Sequence, residues 1–501
     1  MTETLSHLFF GLSVVLRPEN LGLMFLGAFL GTVIGVLPGI GPQGSVALLL
    51  PLITGMHPAS ALIFLAAIYN GSQYGGSTTS ILLNVPGESS SVVTMLDGYA
   101  MTKQGRAGAA LAIAAVGSFF AAGLGVLGLT VIGPPLATVA LRFGPAEYFA
   151  LMVAGLSTVT SMVGRSVAKS AASTVLGLML ATVGIDLATG IPRFTFGIPK
   201  LMDGVDFLVL SLGLFAISEV LVSLEETEML TRTRFQLERL WLSLRDFLDS
   251  IGAILRGSLI GFIVGILPGA GPVIASFLSY NVEKQLSPHP ERFGQGEIRG
   301  VAAPEAANNG AAVGALVPLL TLGIPGSATA ALMFGGLLML GVRPGPQLFT
   351  ERPDVAWGVI ASLYLGNVVL LVLNLPLVGL FVRLLYIPLA LMLPFVLALS
   401  FIGVYSVNQS TFDFGLLLVF GILGYYMRKR AYPLAPLVLA FVLGGQMEQN
   451  FRRALMLSNG NYGFFFAKPL SAALLVAAVV ILAFPFVLRR FQSGMGATEE
   501  G

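Results

Sequence analysis

Gly35–Pro42 reads GVLPGIGP, and Gly265–Pro272 reads GILPGAGP. Six of the eight positions are identical, and the other two are apolar in both copies. The prolines Pro38 and Pro268 stand 268 − 38 = 230 positions apart. Proline removes a backbone donor and glycine accepts positive φ, so each phrase predicts a helix that stops and a chain that turns. Both phrases close strongly apolar runs, Leu21–Leu37 and Ile251–Leu267, which read as membrane-spanning helices. A peptide group left unpaired in hydrocarbon costs several kcal/mol, so such a break is stable only where it is buried in protein or lines a polar cavity.

Further matches lie outward from these phrases. Asn70–Gly71 corresponds to Asn309–Gly310, and Val85-Pro86-Gly87 to Ile324-Pro325-Gly326, both at an offset of 239 (309 − 70 and 325 − 86), with Gly75 and Gly314 in the same register. The nine additional residues (239 − 230) fit the polar stretch QLSPHPERFGQGEIRG at Gln285–Gly300, which reads as a solvent loop. An ordered series of matches predicts an internal duplication: a first transmembrane repeat over 1–223, a linker over 224–250 and a second repeat over 251–501. The linker is rich in charge, and its Leu230, Phe235, Leu237, Leu240, Leu244 and Phe247 recur at near-helical spacing. That pattern predicts an amphipathic helix on the membrane surface.

Composition agrees with a bilayer environment. Of 501 residues, 55% are hydrophobic and 10% charged, against about 25% charged in soluble domains. Ala107–Gly133 carries no charge and exceeds the roughly 20 residues a helix needs to cross the hydrocarbon core. Other predicted spans are Ala146–Val163, Val167–Ile185, Val205–Val222, Trp357–Leu385, Leu389–Val404, Phe414–Tyr426, Pro433–Leu443 and Ser471–Leu488. The expected fold class is an all-α polytopic membrane protein. The N-terminus has no basic n-region and reads as an interfacial segment rather than a signal peptide. A net charge of +2 gives no polyelectrolyte signature for nucleic acid. There is no cysteine, the three histidines (His7, His57, His289) are scattered, and no phosphate-binding loop or nucleophile–base motif appears. Nothing points to an enzyme or to a cofactor.

The polar residues cluster beside the breaks. Tyr69–Ser91 (YNGSQYGGSTTSILLNVPGESSS) concentrates eleven Asn, Gln, Ser and Thr side chains between apolar helices, and Ala303–Leu332 offers Asn308, Asn309, Thr321, Ser327 and Thr329. Carbonyl, amide and hydroxyl oxygens suit a hard cation, whereas N–H groups at the start of a helix favour an anion. Paired breaks in two halves mark the binding site of a secondary transporter. The expected substrate-binding residues are Asn84, Pro86, Gly87, Ser89, Ser90 and Ser91 at one tip, with Gly323, Pro325, Gly326, Ser327 and Thr329 at the other. The expected cation-binding residues are Gly39, Gly41, Asn70, Gly71 and Ser72, with Gly269, Gly271, Asn308, Asn309 and Gly310. Helix capping by Ser and Thr is the bland alternative for each of them. Among the charged residues, Glu88, Asp97 and Glu305 are the candidates for proton coupling, although Asp97–Gly108 reads as a water-facing hairpin exit. Glu219 and Glu448 read as structural acids.

The segments GVLPGIGPQGSVALLLPL, YNGSQYGGSTTSILLNVPGESSSVVTMLDGYAMTKQGRAGAAL, GILPGAGP and NNGAAVGALVPLLTLGIPGSATAALMFGGLLMLGVRPGPQLF resemble the large membrane subunit of tripartite tricarboxylate transporters. The resemblance covers nearly the whole chain. It implies a multi-pass protein of the bacterial cell inner membrane that works with a small integral membrane subunit and a periplasmic solute-binding protein. It further implies uptake of a di- or tricarboxylate such as citrate, with Na⁺ as the coupling ion. H⁺ coupling and a passive anion channel are the alternatives. A more distant similarity, to other binding-protein-dependent and sodium–dicarboxylate carriers, implies two inverted-topology repeats with broken helices and hairpins. In that picture an elevator mechanism moves a transport domain against a scaffold.

Overall fold

The computed structural model describes residues 2–163, 166–186, 188–225, 242–269, 271–385, 387 and 389–496. Along the chain come α1 (Thr2–Val15), α2 (Pro18–Gly35), α3 (Gly41–Leu49), α4 (Pro58–Leu83), α5 (Val92–Lys103), α6 (Ala107–Ala140), α7 (Pro145–Met162) and α8 (Val167–Ala181). A two-residue antiparallel pair follows, β1 (Gly184–Ile185) and β2 (Pro192–Arg193), with Gly184 opposite Arg193. Next are α9 (Phe207–Ser211), a π-helical segment at Leu212–Ile217, and α10 (Ser218–Glu225). The second series is α11 (Leu244–Ile266), α12 (Gly271–Leu286), α13 (Arg299–Gly314), α14 (Leu316–Leu322), α15 (Ala328–Met339), α16 (Leu348–Glu351), α17 (Pro353–Asn374) and α18 (Val378–Leu384). It ends with α19 (Leu389–Asn408), α20 (Phe412–Lys429), α21 (Leu434–Leu457), α22 (Phe464–Ala467) and α23 (Pro469–Gly496).

Among the described residues six helices are long and apolar enough to cross a bilayer: Pro18–Gly35, Ala107–Ala140, Phe207–Glu225, Leu244–Ile266, Pro353–Asn374 and Leu391–Asn408. The chain is an all-α polytopic membrane protein. Several expected spans are redrawn: those at Ala146–Val163, Val167–Ile185, Phe414–Tyr426, Pro433–Leu443 and Ser471–Leu488 lie in helices that are not among the six. α6 continues through Pro134 and Pro135 to Ala140, as a membrane helix can when its neighbours satisfy the freed carbonyls. The expected Trp357–Leu385 helix is two helices, interrupted at Asn374, because Pro376 disfavours helical geometry in the residue before it. Leu244–Ser250 opens α11, so the end of the expected linker is the first turns of a span. Leu230, Phe235, Leu237 and Leu240 lie outside the described residues.

Two compact units form, one from 1–138, 207–266 and 271–425, the other from 139–206, 267–270 and 426–501. In the first, α2 lies along α4 backbone to backbone. A β-carbon on Gly71 would fall 2.5 Å from the Ala28 carbonyl oxygen and one on Gly75 2.5 Å from that of Thr32, while Gly31 and Gly35 abut Ile68 and Ser72. α11 and α13 pack likewise: Gly310 faces Ser258 (2.9 Å), Gly314 faces Phe262 (2.5 Å), and Gly261 and Gly265 abut Ala307 and Ala311. Every residue of the second pairing is displaced from its counterpart by 230 positions in α11 and by 239 in α13. Without a hydrophobic drive inside lipid, close backbone approach through small residues is what holds such helices together.

Both phrases break their helices as expected. Gly39 and Gly41 take φ of 85° and 57°, and Gly269 and Gly271 take 82° and 55°, in the left-handed region that favours glycine. The Gln285–Gly300 segment is a connection between α12 and α13 with one short turn at Pro290–Arg292. Asp97 corrects the reading of a water-facing hairpin. It is fully buried on α5 and accepts from the N–H groups of Gly294, Gly296 and Glu297 at 2.8–3.0 Å and from the Tyr280 hydroxyl at 2.9 Å. Backbone donors from a loop some 200 positions away thus satisfy this carboxylate, which gives it a structural use.

In the second unit, α21 crosses α8 at Gly177, and α23 lies on α7, where Ser161 donates to the Ile481 carbonyl at 3.0 Å. Arg452 bridges Asp186 (2.8 Å) and Glu448 (2.7 Å), and Arg193 also pairs with Glu448 at 2.8 Å. The Ala188 N–H, and after it Arg452, hold the Asp186 carboxyl down at about 2.

Candidate functional site

The first unit builds two similar tips. α4 ends at Asn84, which takes a left-handed conformation (φ 58°), and α14 ends at Gly323 (φ 68°). The positions differ by 239, so the Pro-Gly segment follows a left-handed cap in each case. Gly87 then lies so close to α4 that a β-carbon would fall 2.6 Å from the Gly76 carbonyl oxygen. Gly326 lies equally tight, 2.8 Å from Ala315 Cα and from the Gly265 carbonyl oxygen.

New helical segments start directly after the tips. Ser89–Ser91 forms a short turn that runs into α5, and Ser327 caps α15 by accepting the Ala330 N–H at 3.1 Å. Ser91 shares a hydrogen bond with Ser80 at 2.6 Å and donates to the Glu88 carbonyl at 2.9 Å. Ser91 and Ser327 therefore have structural uses in addition to any ligand. Asn84 and Ser89 are exposed, whereas Gly87, Ser90, Gly326 and Thr329 are buried. Gly41 stands 3.4 Å from Glu88 Cβ, and Gly271 stands 3.7 Å from Ser327 Cβ, measured from an added β-carbon. Each break thus meets a tip.

Each tip is tied crosswise to the polar helix of the other half. Asn308 on α13 donates to Glu88 Oε1 at 2.7 Å, and Tyr69 on α4 meets Ser327 Oγ at 3.4 Å. Asn308 is Tyr69 shifted by 239, and Ser327 is Glu88 shifted by 239. The same two contacts are therefore made reciprocally. Gln73 sits between them, and the acceptors around it assign its carboxamide nitrogen to the side of the Glu88 carboxylate and Asn308 Oδ1 (3.1 Å). Deeper along α13, Glu305 accepts from Ser77 and Thr94, each at 2.6 Å. Among the described residues no Lys or Arg forms an ion pair with Glu88 or Glu305.

The expected cation residues divide. Asn70, Gly71 and Ser72 lie inside α4, and Asn308, Asn309 and Gly310 lie inside α13, so their backbone carbonyls are helical and only side-chain oxygens are available. Asn70 donates to Ala66 and Asn309 to Ser118 and Glu305, and the Oδ1 atoms of both have no hydrogen-bond partner among the described residues. Gly39 lies against Glu219, and Gly269 lies in the other unit against Val159. Thr79 donates to the Val36 carbonyl at 2.6 Å, satisfying one acceptor freed where α2 ends.

Tyr69 and Gln73 escaped the expected set. The 239 offset was the available signal: applied to Asn308 it selects Tyr69, and applied to Ser327 it selects Glu88.

Residues 21–439 match the Tripartite tricarboxylate transporter TctA family. A protein of Agrobacterium vitis described as "Uncharacterized 52.8 kDa protein in TAR-I ttuC' 3'region" is 46% identical over 490 residues, covering 97% of this chain and 98% of that protein. A second from the same organism, "Uncharacterized protein in TAR-II ttuC' 3'region", is 46% identical over 220 residues, 44% of this chain and 91% of the relative. No solved structure matches. On the family match, which spans most of its length, the chain belongs to the TctA family, the large subunit of tripartite tricarboxylate transporters.

Proposed function

We propose that this chain imports a di- or tricarboxylate, citrate-like in chemistry, by Na⁺ symport. In this reading it sits in the bacterial inner membrane, beside a small integral membrane subunit, and receives its substrate from a periplasmic solute-binding protein. The observation that carries the reading is that each Pro-Gly tip reaches the polar helix of the other half, Glu88 to Asn308 and Ser327 to Tyr69, within one compact unit. The carboxylate lies between Asn84–Ser91 and Gly323–Thr329, where N–H groups opening new helical segments favour an anion. Na⁺ binds near the broken phrases, with the unpartnered oxygens of Asn70 and Asn309 as the best supported ligands. The matched offsets of 230 and 239 support two repeats, which we take to be inverted, and an elevator in which the unit holding both tips is the moving body.

Electrostatics supports a co-transported cation. An anion entering against a negative-inside potential loses roughly 2.3 kcal/mol per charge per 100 mV. Among the described residues no Lys or Arg forms an ion pair at Glu88, so none supplies a fixed positive charge at that tip. A second reading, H⁺ coupling, is favoured by Glu88 itself, an acid at the tip whose partners Asn308 and Gln73 are neutral.

The test is radiolabelled citrate uptake into proteoliposomes that hold the chain with its small subunit, with the binding protein outside. Na⁺ and pH gradients are imposed separately. An inward Na⁺ gradient is expected to accumulate citrate above equilibrium. Accumulation under ΔpH alone moves the coupling to Glu88 or Glu305, and flux that only runs downhill without the binding protein contradicts symport.

A further inference from the structure

Away from the tips, a small cavity in the first unit is lined on its polar side by Tyr74, Ser77, Thr78, Ser118, Glu305 and Asn374. Glu305 is 1% exposed and Asn374 4%. Among the described residues Glu305 receives hydroxyl donors alone, Ser77 and Thr94. Asn374 commits its Nδ2 to the Leu370 carbonyl at 3.0 Å, which identifies the other amide atom as oxygen. That Oδ1 is buried and has no hydrogen-bond partner among the described residues. Two acceptors, one of them a carboxylate, therefore share one cavity with no counter-charge. Burying a charge without a partner is strongly unfavourable, and an unsatisfied amide oxygen adds to the penalty.

We propose that this cavity is a Na⁺ site, with a Glu305 carboxylate oxygen, Asn374 Oδ1 and the hydroxyl oxygens of Ser118 and Thr78 as ligands. Hard cations take oxygen ligands of this kind. The space holds roughly one water-sized sphere, enough for a monovalent ion and too small for a carboxylate substrate. Asn309 positions the site by donating to Ser118 Oγ at 2.7 Å, which links the cavity to the helix that carries Asn308. The inference rests on the reading of the chain as a cation-coupled carrier and adds a second ion seat to the one read at Asn70 and Asn309.

The test is ²²Na⁺ binding to the purified full-length chain in detergent, with unlabelled NaCl, KCl and choline chloride as competitors. Saturable binding displaced by NaCl alone is expected. Asn374→Ala and Glu305→Gln should each weaken it at least about tenfold, while Thr182→Ala, in the other unit, leaves it unchanged. Where Glu305→Gln does not elute like the wild type, Asn374→Ala decides, because it keeps the carboxylate. Undiminished ²²Na⁺ binding in Asn374→Ala overturns the site, as does a wild-type chain that binds no Na⁺ and neutralises Glu305 with a proton. Citrate uptake measured in parallel separates the two claims. Na⁺ binding without any uptake sinks the carrier and leaves the site standing, whereas Na⁺-driven uptake that is intact in Asn374→Ala does the reverse.

Discussion

Gly87→Val should reduce citrate uptake by on the order of 100-fold while the chain still inserts and elutes as a single species, and Gly326→Val should do the same. Neither glycine has positive φ, so space and not conformation is the constraint. At Gly87 the obstacle is the Gly76 backbone, with its carbonyl oxygen 2.6 Å from the new β-carbon. At Gly326 it is Ala315 Cα and the Gly265 carbonyl oxygen, both 2.8 Å away. Backbone on both sides cannot rotate aside, so a side chain lifts the tip off its helix. A shift of about 1 Å in groups that position a substrate costs about 100-fold in rate. The lifted tip also separates Glu88 from Asn308, or Ser327 from Tyr69. Uptake within twofold of wild type in both variants would mean that the tips are packing devices only.

The second large effect is on stability. Gly31→Leu and Gly261→Leu should each destabilise the chain by about 3 kcal/mol or more, read as a lower melting temperature of the purified protein or as its loss from the membrane fraction. Both glycines abut the backbone of the facing helix, at Ile68 and Ala307 respectively. Gly22→Leu is the internal control. It lies on α2 as Gly31 does, has nothing within 4 Å, and should melt like the wild type. Equal losses at Gly22 and Gly31 would show that leucine anywhere on α2 is disruptive, and the backbone-to-backbone packing of α2 on α4 would lose its support.

Much of this was legible in the sequence because proline and glycine act locally. LPGIGP and LPGAGP stop a helix whatever surrounds them, and charge-free runs such as Ala107–Gly133 need a bilayer. The tips were legible for the same reason. Less accessible was the state of YNGSQYGGSTTS, whose amides and hydroxyls read as chain beside freed backbone and which in fact lies within α4. Two of its polar groups are engaged locally: Asn70 donates to the Ala66 carbonyl and Ser72 to that of Tyr69, both at 2.8 Å, whereas Ser77 and Thr79 reach Glu305 and Val36. Gly71 and Gly75 serve to admit α2, and Gly76 the tip at Gly87. Asp97 misled because Lys103 and Arg106 follow it, whereas its partners lie in the loop at 294–297. Asn374 and Ser118 carried no local signal at all. Each is a polar residue set in a largely apolar helix, and only packing from distant segments brings them to the cavity that Glu305 lines.

The central claim, that a carboxylate is held between the two Pro-Gly tips, is tested most directly by a density map of the complete transporter prepared with citrate and Na⁺. The account predicts citrate between Asn84–Ser91 and Gly323–Thr329, with its carboxyl groups at the starts of the helical segments that follow Gly87 and Gly326. Citrate bound elsewhere in the chain, with both tips packed in apolar surroundings and closed to water, would contradict it.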